Sequence, residues 1–332
     1  MFTTNDTNLT NQIRESKMTR LRPCLHSWYS SDSWSLLFLL FLLPAVAQAA
    51  DPKKPNVLFI AVDDLNHWVG HLGRNTQTKT SNMPWDVPKK YYDLFPLDTI
   101  ELPPTTKDDL SDVPDGGLKF AKPDGDHAAM LKSGRWKEAV QGYLAAVAYC
   151  DAQIGRLLDA YDQSPHKEST VIVFWGDHGW HLGEKEHWRK FALWEESTRM
   201  PYMWVVPGVT KAGGVCDRTV DLMSVYPTLY GVCGIDRPKH VEGEDIKPLL
   251  ADPKAAWDKP AITTYHRNNH SIRTGQWRYI RYAGGGEELY DHAKDEYEWT
   301  NLAKDAKYAD VKKELMKPLP AKNEAELPRA KE

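Results

Sequence analysis

The sequence predicts an α/β fold: a mostly parallel sheet flanked by helices, followed by a small antiparallel C-terminal subdomain. Two continuous apolar runs, residues 55–62 and 170–175, are rich in β-branched and aromatic residues, as are strands buried on both faces of a parallel sheet. A helical pattern lies between them, and alternation of strand and helix is typical of parallel sheets. From about Ala261 the pattern changes to short strands around a run of three glycines, which predicts the antiparallel part.

A leader precedes the part of the chain that we expect to fold. Arg20 and Arg22 come before an apolar run of 11 residues, 36–46, and small residues follow at 47–50. A basic region, a short apolar region and an A-x-A cleavage site together define a secretory signal. We therefore expect residues 1–50 to be removed and the protein to be exported to the periplasm or outside the cell. The run is too short for a stable membrane span, which needs about 20 apolar residues.

The remaining elements follow in order. Residues 74–127 are polar and punctuated by proline without periodicity, so we expect either a functional loop or the loss of a block of sequence. Apolar residues spaced by three or four predict a long helix over 140–161. Residues 201–206 read as a third strand, and 221–232 as a helix with Pro227 in its first turns.

These elements divide into two domains after the leader. We assign residues 51–258 to an α/β domain that is incomplete and holds a metal, and residues 259–332 to a small α+β subdomain.

Charge and cysteine content exclude two classes of protein. The chain has 42 Lys and Arg against 46 Asp and Glu, so it lacks the basic excess of a nucleic-acid-binding protein. Four cysteines in 332 residues are too few for a disulfide scaffold. Cys150 falls on the apolar face of the predicted helix. A bridge between Cys216 and Cys233 stays open, since nothing in their spacing argues for it.

Acidic residues follow two of the predicted strands. Asp63 and Asp64 end the first strand, and Asp177 and His178 end the second. Ligands in open parallel sheets bind beyond the carboxyl ends of the strands, so these four side chains can share one centre. Three carboxylates and one imidazole suit a divalent cation: hard oxygens favour Ca²⁺ or Mg²⁺, and the nitrogen is compatible with Zn²⁺ or Mn²⁺. The alternative is that the acids only cap a helix or form a turn.

A basic segment follows at residues 180–190. Its Lys185, Arg189 and Lys190 are within reach of the same pocket. The ordinary interpretation of such a run is a solvated charged turn, which we expect for Lys185 and Arg189. A lysine beside a bound cation would hold an anion, so the segment implies an anionic ester as the ligand.

These motifs resemble those of the sulfatases, in the alkaline-phosphatase-like α/β superfamily. The similarity rests on residues 56–64, on Gly-Asp-His-Gly-Trp at 176–180 with Leu-Gly-Glu at 182–184 and Lys190, and on 220–228. Residues 288–291 and 301–303 are similar to the family's closing subdomain. His178 resembles the iduronate-2-sulfatase type more than arylsulfatases, which tend to carry Asn there.

The resemblance implies a function and assigns the site. Asp63, Asp64, Asp177 and His178 would bind Ca²⁺, with Mg²⁺ or another divalent cation as the alternative. Lys190 would contact the sulfate, and the substrate would be a sulfated glycan or another sulfate ester. The family fold and sulfuric ester hydrolysis are the corresponding expectations.

One part of the family pattern is absent. The sulfatases use a Cys or Ser in a Cys/Ser-x-Pro-x-Arg motif, oxidised to formylglycine, as nucleophile. No Cys or Ser in this chain has Pro two residues later and Arg four residues later. The sequence reads as if one internal block were missing between Thr80 and Ser81. We therefore expect little or no sulfate-ester hydrolysis by the chain as written.

Two other functions stay open, and the gap has a structural consequence. One is a non-catalytic, Ca²⁺-dependent binder of sulfated polysaccharide. The other is a phosphodiesterase or phosphatase of the same superfamily, for which His67, His71 and residues 76–80 are poor candidates as additional ligands and nucleophile. Losing the block would also uncover the first strand and expose apolar surface.

Overall fold

Residues 56–251 contain five strands with helices between and after them, and four short strands follow from residue 261. The computed structural model describes residues 54–66 and 86–325. Its strands are β1 (Asn56–Val62), β2 (Thr170–Gly176), β3 (His181–Leu182), β4 (Trp188–Arg189), β5 (Tyr202–Val205), β6 (Ala261–Thr264), β7 (His270–Arg273), β8 (Trp277–Arg281) and β9 (Glu287–Asp291). Its α-helices are α1 (Lys89–Tyr92), α2 (Asp115–Ala121), α3 (Ala128–Ser133), α4 (Trp136–Asp162), α5 (Glu195–Thr198), α6 (Val225–Cys233), α7 (Lys247–Ala251) and α8 (Ala309–Met316).

The larger domain is built on a three-stranded sheet with the order β1-β2-β5. β1 and β2 are parallel, from Asn56 opposite Thr170 to Val62 opposite Gly176, as predicted. The predicted third strand is present as β5, and it runs antiparallel to β2. The chain reaches β5 from the carboxyl end of β2 through a hairpin and one helical turn. Without a crossover to the far end of the sheet, the returning strand runs antiparallel.

Helix α4 covers one face of this sheet. It contains the predicted helix and extends it to Trp136–Asp162. Its partly buried side chains Cys150, Ile154 and Leu158 pack against a buried cluster that includes Ile60 and Phe174. Full burial of a side chain such as Ile60 or Phe174 stabilises the domain by about 1.5–3 kcal/mol, and partial burial by less.

Helix α6 lies against the other face, where Leu229 and Val232 pack on Val171 and Val173 of β2. It begins at Val225, after a 3-10 turn at Leu222–Ser224. Pro227 therefore stands in the first turn, where its missing N–H is tolerated.

Strand β1 is only partly covered. Val57 and Phe59 are 41% and 44% exposed, on the face that α6 covers further along the sheet. Among the described residues β1 pairs with β2 alone, so its other edge carries no strand there. The expected exposure of apolar surface on the first strand is confirmed.

The C-terminal part contains a four-stranded antiparallel sheet, β6-β7-β8-β9, which confirms the prediction. Leu315 of α8 packs on one of its faces with Tyr279 and Leu289. On the other face, Leu193 and Trp194 pack with buried residues of the sheet that include Ile280 and Tyr290.

A buried charged cluster ties this sheet to α5. Arg278 of β8 is 1% exposed and forms ion pairs with Glu195 of α5 and Glu298. Its guanidinium also donates to the Leu193 carbonyl oxygen at 3.1 Å and to the Ser271 hydroxyl at 2.6 Å. Four buried acceptors thus satisfy one buried cation, as the low-dielectric interior requires.

Several sequence predictions concern features other than the sheets. The cysteines Cys150, Cys216 and Cys233 are all free thiols, so the bridge left open between the last two is not formed. Residues 86–127 contain short helices and turns rather than one periodic element. Within the described residues, no helix combines the length and apolar character needed to cross a bilayer. Residues 1–50 and the Thr80–Ser81 junction lie outside the described residues, and the boundary after residue 258 stays a prediction.

Candidate metal centre

The loop after β1 carries the first two candidate ligands, Asp63 and Asp64. Asp64 has a φ of 59°, a left-handed conformation that aspartate adopts more readily than most residues. The Tyr143 hydroxyl of α4 donates to the Asp64 carbonyl oxygen at 2.9 Å and accepts from the Asn66 N–H at 3.1 Å. The Asn66 side-chain amide donates to the Trp180 carbonyl oxygen at 2.9 Å. These three bonds hold the loop against α4 and against the segment after β2.

The loop after β2 carries the other two, Asp177 and His178. The Asp177 N–H donates to the Val62 carbonyl oxygen at 3.4 Å, which joins the two strand ends. Gly179 follows, and a Cβ there would lie 1.9 Å from the Glu196 carbonyl oxygen. Only glycine therefore allows the chain to pass so close to α5.

The structure brings all four predicted ligands together. His178 Nε2 lies 3.1 Å from Asp63 Oδ1, 3.2 Å from Asp177 Oδ2 and 3.8 Å from Asp64 Oδ1. One ligand atom each from Asp63, Asp177 and His178 lies within 4.8 Å of the others. The carboxyl ends of two parallel strands thus place residues that are more than 100 positions apart around one point.

The orientation of His178 fits a metal ligand. Its Nδ1 lies 2.9 Å from the Gly179 carbonyl oxygen, where it can only donate a proton. In the neutral ring, this tautomer leaves the lone pair on Nε2, and Nε2 faces the carboxylates. A backbone acceptor on the other ring nitrogen is the usual arrangement for ligating histidines. The residues present therefore fit a divalent cation.

Lys190 lies at the same centre. Its Nζ is 3.2 Å from Asp63 Oδ1 and 3.2 Å from Asp64 Oδ1. The ammonium thus neutralises part of the negative charge of the three carboxylates. Lys190 and the candidate ligands are therefore neighbours in the structure, whereas binding of a cation and contact with a sulfate stay predictions.

The pKa values of the side chains at the centre are shifted in different directions. Burial raises the pKa of Asp64, and repulsion from Asp63 adds to this, against the pull of Lys190. Burial also acts on the more exposed Asp63, but its bonds to Lys190 prevail and lower its pKa. Burial acts to lower the pKa of His178, but the Asp177 carboxylate and the Gly179 carbonyl oxygen outweigh it and raise that pKa.

The hairpin of β3 and β4 places Lys190. Its turn is held by Glu184, whose carboxylate accepts the Leu182 N–H at 2.6 Å. The Trp136 indole of α4 donates to the Leu182 carbonyl oxygen at 2.7 Å. His187 packs edge-on against His181, with ring centroids 4.8 Å apart. Lys190 directly follows β4, so these contacts of the hairpin fix where its backbone lies.

One sequence expectation about this hairpin is wrong. Lys185 is 2% exposed and pairs with the buried Asp109 at 2.6 Å, whereas a solvated side chain was expected. Its partner lies 76 positions earlier, so the pairing has no local signal. Arg189 does behave as expected, since it and its partner Asp126 are both about half exposed.

Sequence reasoning missed the residues that position the ligands. Tyr143 was interpreted only as part of the predicted helix over 140–161, Trp136 lies outside that span, and no spacing indicates that their polar atoms bind the loop or the hairpin. Glu184 entered only as part of the Leu-Gly-Glu motif at 182–184, and nothing in this charged run indicated that its carboxylate is buried.

Comparison with known proteins identifies relatives of this chain. The sulfatase family model matches residues 7–235, and a model of the N-sulphoglucosamine sulphohydrolase C-terminal region matches residues 183–325. A sulfatase of Formosa agariphila is 39% identical over 246 residues, which are 73% of this chain and 48% of that protein. Human iduronate 2-sulfatase is 26% identical over 285 residues, covering 61% of this chain and 50% of that protein.

Two solved structures add to this. A protein in complex with its substrate D-glucosamine-2-N,6-O-disulfate has a TM-score of 0.50 and 30% identity, over 59% of this chain and 42% of that one. A phosphonate monoester hydrolase from Silicibacter pomeroyi has a TM-score of 0.60 and 19% identity, over 70% of this chain and 52% of that one. The fold is the alkaline-phosphatase-like α/β fold. The chain spans about half the length of these relatives or less.

Proposed function

The chain belongs to the sulfatase family, a family of sulfuric ester hydrolases, and we propose that its site recognises the sulfate ester of a glycan through a divalent cation and Lys190. The observation that carries the proposal is the convergence of Asp63, Asp177 and His178, with Asp64 and the Lys190 ammonium beside them. A divalent cation beside a lysine ammonium matches the needs of an anionic ester, whose oxygens must lose water when they bind.

Each residue has a role in this proposal. Asp63, Asp64, Asp177 and His178 would hold the cation, which supplies positive charge to polarise and anchor the sulfate oxygens. Three carboxylates make a hard-oxygen donor set, so Ca²⁺ is the proposed ion. The Lys190 ammonium would exchange part of its contact with Asp63 and Asp64 for the sulfate. Its position on a buried hairpin limits how far it moves.

The proposed ligand class is a sulfated glycan. Support comes from the neighbour bound to D-glucosamine-2-N,6-O-disulfate and from the similarity to human iduronate 2-sulfatase. His178 stands where arylsulfatases tend to carry Asn, and it favours the iduronate-2-sulfatase type within this class.

We further propose that the chain as written hydrolyses its ligand slowly or not at all. The formylglycine motif that the family uses for attack is absent from the sequence, and residues 63–66, which directly follow β1, contain no Ser, Thr or Cys. Purified protein incubated with an aryl sulfate and a heparan sulfate disaccharide should release no more sulfate than the buffer alone. Robust turnover would contradict this. Sequencing the coding DNA across Thr80–Ser81 is the matching genetic test, since a recovered motif would restore the enzyme.

The cation is tested by a matched pair of variants. The side chains of Asp63 and Asp162 are 60% and 59% exposed, but only Asp63 lies in the centre. Asp63→Asn should weaken Ca²⁺ binding by about tenfold or more, as loss of a group at a metal site does, and Asp162→Asn should leave it unchanged. Equal affinities by calorimetry would refute the assignment.

A second candidate function is cation-dependent binding of sulfated polysaccharide as an end in itself. It is favoured by the same combination of an intact candidate centre and an absent nucleophile. A phosphodiesterase or phosphatase is less well supported. The described residues contain a second three-residue group of ligand type, Glu195, His292 and Glu298, but both of its glutamates pair with Arg278. His67 and His71 lie outside the described residues.

A further inference from the structure

An exposed aromatic ring lies directly after Lys190. Phe191 is 48% exposed, whereas the next three residues, Ala192, Leu193 and Trp194, are 4%, 0% and 1% exposed. The chain turns sharply here, because the Ala192 N–H donates to the Lys190 carbonyl oxygen at 2.8 Å. Phe191 is thus a single outward-facing ring in an otherwise buried segment.

The ring is held in place by other aromatic residues. Phe191 stacks on Tyr265, with centroids 5.8 Å apart and an interplanar angle of 28°. Tyr265 in turn meets Phe120 edge-on at 5.1 Å, and Phe120 lies 5.7 Å from Tyr282. Four rings from separate parts of the chain therefore form one platform, with Phe191 at its open end.

The loop that carries Tyr265 is itself fixed. It joins β6 to β7, and the Tyr265 N–H donates to the Asn269 carbonyl oxygen at 3.1 Å. The Asn269 side-chain oxygen accepts the Ala283 N–H at 2.9 Å. A surface that is rigid before binding loses little conformational entropy when a ligand docks on it.

The platform and the charged centre are complementary in chemistry. Lys190 and Phe191 start from adjacent Cα atoms, about 3.8 Å apart, and the Lys190 side chain is itself 29% exposed, so an ammonium and an apolar ring both reach solvent from one turn of the chain. Single exposed apolar residues are common on proteins. What distinguishes Phe191 is the combination of exposure, backing by stacked rings and position beside the candidate anion site. A ligand that fits both parts has an anionic group next to an apolar face.

We propose that Phe191, backed by Tyr265, is the stacking surface for a sugar ring of the glycan whose sulfate is held at Lys190. A pyranose presents C–H groups on one face, and these pack on an aromatic ring while its hydroxyls stay in water. Binding sites of this kind combine apolar contact area with a few well-placed charged groups. This inference rests on the proposed function of the neighbouring site.

The test compares two ligands and three variants by calorimetry in Ca²⁺. The ligands are a heparan sulfate disaccharide and inorganic sulfate. Phe191→Ala should weaken disaccharide binding by about tenfold and change inorganic sulfate binding by less than about twofold. Phe191→Trp should restore disaccharide affinity, since it keeps an aromatic face. Tyr226, which is 65% exposed on α6, gives the control, and Tyr226→Ala should leave both affinities unchanged.

Each outcome decides a different question. Equal disaccharide affinity of the wild type and Phe191→Ala overturns the inference and leaves the proposed function standing. An equal loss for both ligands also overturns it, because Phe191 would then only position Lys190. A wild-type chain that binds no sulfated glycan overturns the proposed function and this inference with it.

Discussion

The hydroxyl of Tyr143 links the metal-binding loop to the longest helix, and removing it should weaken both stability and cation binding. Tyr143 is 1% exposed, and its hydroxyl bonds to the backbone of Asp64 and of Asn66 at 2.9 and 3.1 Å. Tyr143→Phe keeps the ring and its packing but removes both bonds. At about 1 kcal/mol net for each buried bond, we expect the free energy of unfolding to fall by about 2 kcal/mol.

The effect on cation binding follows from the same loop. The two bonds order the backbone that carries Asp63 and Asp64. In Tyr143→Phe this backbone is less ordered, so cation binding must supply part of the free energy of ordering it. If about 1 kcal/mol of the loss falls on the loop, Ca²⁺ affinity drops by about fivefold. Urea denaturation in EDTA measures the first quantity, and calorimetric titration with Ca²⁺ measures the second.

A second tyrosine of the same helix provides the control. Tyr149 is 38% exposed and contacts Tyr91 through its ring, with centroids 5.3 Å apart. Tyr149→Phe should change the free energy of unfolding by less than about 0.5 kcal/mol and leave cation affinity unchanged. The reasoning is refuted if Tyr143→Phe is no more destabilising than Tyr149→Phe.

Three further predictions concern stability and solubility. Arg278→Met should lower the free energy of unfolding, measured by urea denaturation, by about 3–5 kcal/mol, because Glu195 and Glu298 stay buried without their cation. Arg281→Met, at an exposed arginine, is the control. Equal losses in the two variants would contradict the account. Burial raises the pKa of Glu184 to about 7, so the folded state binds a proton that the unfolded state has released, and stability falls as pH rises from about 4.5 to 7, by about 3 kcal/mol. Glu184→Gln should remove that part of the pH dependence. If the free energy of unfolding of the wild type and of the variant changes in parallel between pH 4.5 and 7, Glu184 is not its source. Phe59→Lys should slow aggregation measured by light scattering, since it charges an exposed edge strand; unchanged aggregation would show that this surface is not responsible.

The site could be predicted further from the sequence than its supports could. Asp63, Asp64, Asp177 and His178 follow apolar strands, and parallel strands bring their carboxyl ends to one edge whatever the rest of the chain does. Lys190 was placed by family resemblance, and the structure shows it at the same centre. Local pattern and simple topology were sufficient to place the four candidate ligands at one edge, whereas Lys190 needed the resemblance.

Other features depend on contacts that no local pattern encodes. The direction of β5 is set by the path of the preceding hairpin. The apolar pattern of residues 201–206 predicts a strand but does not indicate whether it runs parallel or antiparallel to its neighbour. The burial of Lys185 depends on Asp109, far away in sequence. Tyr143 looks like any large residue on an apolar helix face until the loop that it holds is seen.

The aromatic platform shows a similar limit. Phe191 and Tyr265 are 74 positions apart and lie in different domains of the predicted division. Only the packing of the C-terminal sheet on residues 192–194 brings their rings together. The sequence contained both residues but nothing that paired them.

The central claim is that the chain recognises a sulfate ester through a divalent cation and Lys190. Calorimetric titration with a heparan sulfate disaccharide, in millimolar Ca²⁺ and again in excess EDTA, tests it most directly. The account predicts binding in Ca²⁺ that is lost in EDTA. Equal affinity in both conditions, or no binding in either, would contradict it.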